Sequence, residues 1–294
     1  MAGGNPVFDR IDKQLQQERY AGFGEPQRGQ QQGPMGSTQG ATAGYAVQDA
    51  VTAEQLNDLY ARQAAGPVDT GRVTLDDVII KSLVLFVITL AGAGVSWFLV
   101  DNNQSLVSPL WLGGMFGTLI LGFAMMFMKN IPTPLYFVYA TVQGVFVGAF
   151  SYFLASAYGA DLVLTAVVAT LCVFVAMYAG YATGLIKVTE KSRRIFVFMI
   201  AGYALFSIIQ VVLLMTGVIS GWGFGGSGVI GIGLSLLGVG LASYSLAVDF
   251  DSIDNAVRLG APQKYSWLLA HGLIVTLVWL YIEIARLLAR LRDG

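Results

Sequence analysis

The chain has 294 residues, 55% of them hydrophobic and only 12% charged, with a formal net charge of −1 and a mean hydropathy of +0.64. Soluble domains carry about 25% charged residues, and here even that small complement is uneven. Residues 1–77 hold 6 of the 17 Lys and Arg and 10 of the 18 Asp and Glu, so the remainder cannot coat a water-soluble fold and belongs in a bilayer.

The absence of a long Lys/Arg run excludes a nucleic-acid partner, which needs a basic footprint for phosphate. The lone Cys172 excludes an internal disulfide, and the lone His271 excludes a metal centre built on two imidazoles. No apolar leader precedes the polar N-terminus, so no cleaved secretory signal is expected.

Residues 1–73 read as a soluble, largely disordered tail. Gly22 to Gly44 is rich in Gly, Gln, Ser and Thr, with too little apolar surface to offset the entropy of ordering its backbone. Thr52 and Gln55 have capping-box spacing and Leu56, Leu59 and Tyr60 follow at helical intervals, which gives a short helix near 53–64.

Residues 74–294 form the second domain, an all-α, polytopic membrane unit of seven transmembrane helices. Its apolar runs of about 20 residues match the length that crosses roughly 30 Å of hydrocarbon. The first, Val78 to Val100, is introduced by a Thr74 cap and the Asp76-Asp77 pair. Pro109 to Met128 and Pro134 to Ala157 each open at a proline, and Asp161 to Ile186 is the fourth. Ile195 to Val218 is the fifth, Gly228 to Val248 the sixth, with room to continue through Asp254, and the seventh lies between Ser266 and Leu291.

Basic residues set the orientation. Lys129, then Lys187, Lys191, Arg193 and Arg194, then Arg258 and Lys264 fall in alternate connections, and the intervening loops carry none. The N-terminus and the basic loops are therefore expected in the cytoplasm of a multi-pass protein of the bacterial plasma membrane. Arg286, Arg290 and Arg292 at the far end go against this pattern, and snorkelling of a fully crossing seventh span accommodates them.

Ionisable side chains inside spans are costly, and they concentrate in the last two. Asp251 and Asp254 share a helical face, Asp249 is turned about 200° from Asp251, and Glu283 and Arg286 are three residues apart. Two readings stay open from spacing alone. One is a carboxylate cluster that binds or senses a cation. The other places the aspartates in water, with Asp249 and Asp254 the more solvated, and neutralises Glu283 with Arg286.

"VDFDSID" and "LYIEIARLLARL" resemble the paired terminal signature of the Bax inhibitor-1 family. "FMKNIPTPLYFVYATVQG" is similar to its second and third spans, and "NPVF" with the long tail resembles its YccA-related actinobacterial branch. The resemblance implies a last helix wrapped by the other six. It also implies a pH-sensitive calcium leak in which Asp251 and Glu283 act as sensor and Lys129 as latch. Glu283 stands where the family usually has Asp, Arg286 replaces a neutral residue, and the stretch between the two acids is about eight residues longer than in compact members. Arg286 would hold Glu283 ionised. The extra length is accommodated if Ala261 to His271 lies along the interface and the crossing begins near Gly272.

No cofactor and no resident metal follow from these residues; calcium or protons are the ions to be transported or sensed. The expected partners are the lipid bilayer, calcium or another cation, and proteins held by the tail. A non-transporting regulatory or scaffold protein is the alternative. An intramembrane serine protease built on Ser235 and His271 is a weaker one, because topology puts these residues at opposite depths.

Overall fold

The hydroxyl of Thr74 accepts the amide N–H of Asp77 at 3.1 Å, and Asp76 and Asp77 occupy the first turn, where the helix dipole favours negative charge. This cap starts α1 (Leu75–Asn102) in the computed structural model of the protein, which describes residues 71–294. A 3-10 turn (Gln104–Leu106) leads into α2 (Val107–Phe127). Then follow α3 (Thr133–Tyr158), α4 (Ala160–Ala182), α5 (Glu190–Met215), α6 (Val229–Arg258) and α7 (Tyr265–Asp293). All seven are long and apolar enough to cross a membrane, and the described residues contain no strand. The molecule is an all-α multi-pass membrane protein.

Three spans differ from the expected bounds for local reasons. α4 ends at Ala182, not Ile186, because Gly184 turns the chain at φ +73° and Ile186 folds back, its N–H on the Gly180 carbonyl at 2.8 Å. α5 starts five residues early, at Glu190, on a reciprocal Thr189–Ser192 capping box. α6 runs on to Arg258, so all three of its aspartates are helical.

α7 is the core of the bundle. It packs against α1, α3, α4 and α6, whereas α2 lies on α3, and α5 lies on α6 and reaches α7 through Tyr203. Four helices therefore make its broad contacts and α5 touches it through Tyr203, so the other six do not wrap it equally. α1 and α3 form the most extensive contact, at Gly92, Gly144 and Gly148, where a Cβ on either α3 glycine would overlap the backbone of α1. Small residues of this kind let backbones approach where lipid supplies no hydrophobic force between helices.

α1 and α4 do not close on one another. Between them lies an apolar groove of about 1080 Å³, floored by Leu273, Ile274 and Leu277 of α7 and ending at Tyr181, Asp251 and Asp254.

The opening turns of α7 are part of the crossing helix and do not lie along an interface. Lys81 donates to Ser266 Oγ at 2.5 Å, Trp267 stacks on Tyr136 and meets Phe137 edge-on, and Ser266, Leu269 and Ala270 are buried. Packing on α1 and α3 thus uses Trp267, which lies in the stretch from Ala261 to His271 that the sequence placed along the interface. Just ahead of α1, Val73 donates to the Ala261 carbonyl at 2.8 Å and accepts burial there, and Gln263 donates to Gly71 at 2.6 Å. Residues 71–73 thus belong with the bundle, while the short helix expected near 53–64 lies outside the described residues.

Candidate functional site

The bundle has a basic end, where the 128–132, 183–189 and 259–264 connections lie, and a far end. Asp251 sits on α6 two turns from the basic end. The capping box fixes the first turn of α5, and Tyr244 of α6 holds it by donating to Ser192 at 2.7 Å. Arg193 is thereby set against α6, where it donates to Asp251 Oδ2 at 2.6 Å. Asn255 donates to the same oxygen at 3.0 Å, and the Arg193 and Asp251 side chains are only 18% and 17% exposed. Asp254 accepts from Tyr181 at 3.2 Å and pairs with Arg258 one turn on, close to solvent. Lys129 is exposed on the α2–α3 connection and makes no ion pair among the described residues. The cation on Asp251 is Arg193.

Asp249 is turned the other way. It is half-buried and not out in water as expected: the 200° rotation that sends Asp251 toward α4 and α5 sends Asp249 toward α7, beside Thr276. Ser245 lies one turn before it, 3.4 Å from Thr276. Oδ2 of Asp249 is buried and bonded to nothing.

Glu283 is 2% exposed. Its Oε1 accepts from Tyr203 at 2.8 Å and Trp279 at 3.1 Å, and Arg286 approaches only to 3.5 Å, so a tyrosine and a tryptophan hold it more closely than the arginine does. Oε2 is buried without a partner and lies over Gly238 of α6, where no side chain blocks it. Gly238 and Asp251 are 13 residues apart on one continuous helix, a rise of about 20 Å. Asp251 and Glu283 are therefore not brought together, and neither are Asp249 and Glu283, whose levels on α6 differ by about 16 Å.

The serine–histidine pair does not form either. Ser235 lines a cavity with Arg290, whereas His271 is caged by the rings of Tyr136 and Tyr139, at 5.4 and 4.4 Å between centroids. Arg290 and His271 are 19 residues apart on α7, about 28 Å. Among the described residues no group of three His, Cys, Asp or Glu could hold a metal ion.

The terminal arginines that disturbed the charge pattern are tethers. Arg292 pairs with Asp161 and donates to the Tyr158 carbonyl, and Arg290 donates to the carbonyls of Gly231 and, at 3.0 Å, Trp222. Sequence reading missed Arg193, Tyr181, Tyr203 and Thr276. The signal for Tyr203 was a hydroxyl in the middle of an apolar span; Arg193 was hidden in a loop whose charges were already explained by orientation.

A family model described as Bax inhibitor 1 like matches residues 5–293 of the chain. No curated protein matches it.

Proposed function

Because the chain belongs to the Bax inhibitor-1 family, we propose that it is a pH-sensitive cation leak, open to calcium, in the bacterial plasma membrane. The observation that carries this reading is Asp249, a carboxylate turned to the centre of the bundle with one oxygen free of any protein donor. A buried carboxylate oxygen of a half-buried side chain is served by a proton or a cation, so the two compete for it. Ser245 and Thr276 add hydroxyl oxygens at the same level, and no charged side chain bonds to Asp249 among the described residues. Asp251, Asp254, Arg193 and Arg258 would form the charged mouth beyond it. Glu283 serves as the counter-charge of Arg286 at the other end, not as half of a proton-sharing pair.

Purified protein in liposomes should pass calcium above the level of empty liposomes, with flux falling as pH drops from 8 to 5 and protons displace the ion. Asp249→Asn should lower flux about tenfold at the upper pH, equivalent to about 1.4 kcal/mol of lost ion stabilisation, and remove the pH dependence. Wild-type flux equal to empty liposomes at every pH overturns the leak and favours a scaffold that holds partners through its tail.

The cytoplasmic placement of the N-terminus and the basic loops is supported by Lys129, Lys187 and Lys264 lying at one end. In a Cys172→Ser background, Lys187→Cys should react with an impermeant maleimide only in inside-out vesicles, and Ser220→Cys only in intact cells. The reverse pattern would invert the topology.

A further inference from the structure

Near the far end, α5, α6 and α7 enclose a cavity of about 60 Å³ lined by Tyr203, Ser207, Gln210, Ser235, Arg286 and Arg290. Its charge does not balance. Two guanidinium groups face it, and among the described residues the carboxylate bonded beside them is Glu283. The neighbouring acids are engaged elsewhere: Asp161 holds Arg292, and Asp293 accepts from Tyr158 and Trp222.

The polar atoms around the cavity are mostly unused donors. Arg286 makes one hydrogen bond among the described residues, the 3.5 Å approach to Glu283, and its side chain stays 30% exposed. Arg290 is 2% exposed and its Nε–H has no partner, and Ser235 is 1% exposed with its hydroxyl equally unpartnered. Gln210 spends one N–H on the Trp222 carbonyl at 3.2 Å. The buried Arg290 Nε–H and Ser235 hydroxyl, with a second guanidinium beside them, are costly unless something negative accepts from them. A cation is repelled by the same two arginines. At about 30 Å³ per water, the space holds roughly two waters, or one small anion with a water.

We propose that this cavity is a binding site for a small monovalent anion of halide size, held by the guanidinium groups of Arg286 and Arg290 and the hydroxyl of Ser235. The site is independent of the leak, since it shares no residue with Asp249 and its surroundings. Glu283 limits its affinity, because a carboxylate held by Tyr203 and Trp279 stays beside the bound anion. A lipid phosphate reaching in from the headgroups offers related chemistry, but its bulk exceeds the enclosed space.

The test is a chloride titration of the full-length protein in phosphatidylcholine nanodiscs, read by chlorine-35 line broadening with isethionate holding ionic strength. Saturable broadening above that of empty nanodiscs is expected in the wild type. Arg286→Gln should weaken it at least about tenfold, and Glu283→Gln should strengthen it by about the same factor, each corresponding to one lost or relieved charge contact of about 1.4 kcal/mol. If Arg286→Gln does not fold, the opposite sign expected for Glu283→Gln decides the matter. No saturable broadening in the wild type, or broadening unchanged in both variants, overturns the proposal. So does its loss when phosphatidylglycerol replaces phosphatidylcholine, which would assign the site to a lipid headgroup.

Discussion

Replacing Gly148 with leucine should leave no monodisperse protein to purify. A Cβ at this position would fall on the carbonyl group and Cα of Ala93 in α1, and backbone cannot move aside as a side chain can. Overpacking in a well-packed interior costs about 1–3 kcal/mol, occasionally more, and four added carbons against a fixed helix lie at or beyond the top of that range. The α1–α3 pair is also the broadest contact in the bundle, so its separation exposes both helices at once. Gly94→Ala, two positions along α1 from the contact glycine Gly92, is the control. Nothing lies within 4 Å of a Cβ there, and the change should shift stability by less than about 1 kcal/mol, in the favourable direction given alanine's helix preference. Detergent-resistant unfolding midpoints and size-exclusion profiles of the two variants read the difference. A Gly148→Leu protein that elutes and unfolds like wild type would show that α1 and α3 are not so close.

The second large effect is expected at Arg193. Removing one partner of a buried ion pair leaves an uncompensated charge, worth about 3–5 kcal/mol when fully desolvated. The Arg193–Asp251 pair keeps some solvent access, which screens it, so Arg193→Gln should cost about 1.5–3 kcal/mol. Asp251→Asn should cost less, since Asn255 can hydrogen-bond an amide oxygen as it does the carboxylate. The double variant should recover most of the loss, giving a coupling of at least about 1 kcal/mol in a double-mutant cycle. Additive losses would show that the two side chains act separately. Lys129→Gln, at an exposed residue with no ion pair among the described residues, should leave stability unchanged, which separates Arg193 from the basic residue that family resemblance had singled out.

How far the sequence reveals this arrangement depends on which physical signal each feature leaves. Apolar run length is a strong signal, and all seven spans lie where it puts them. Their ends shift where turn chemistry intervenes, as at Gly184 and the Thr189 capping box. Helical periodicity also separates Asp249 from Asp251 correctly. It cannot tell which of two opposed faces meets α7, because that depends on the azimuth of the whole helix, and the structure gives the inward face to Asp249. The pairing of Asp251 with Glu283 fails for a metric reason. Antiparallel neighbours joined by a short turn match residues at equal distances from that turn. The partner level of Asp249 on α7 is thus Thr276, one turn inward of Gly272, with Glu283 two further turns away. Tyr203 bonding to Glu283 joins residues 80 apart and leaves no local trace.

The central position of α7 has a consequence for biosynthesis. Ribosomes deliver the chain in order, at about 5–20 residues per second, so the six helices α1 to α6 enter the bilayer before the helix that fills the space among them exists. During that interval Asp249 lacks the Thr276 hydroxyl, Gly238 faces no carboxylate, and the aromatic rings of Tyr136 and Phe137 have no indole to stack on. The strap from Gly71 and Val73 to the 261–263 turn also forms only then, tying the start of the bundle to its last connection. Lipid that fills the early assembly can leave sideways as α7 arrives, through the unclosed seam between α1 and α4 that α7 itself floors.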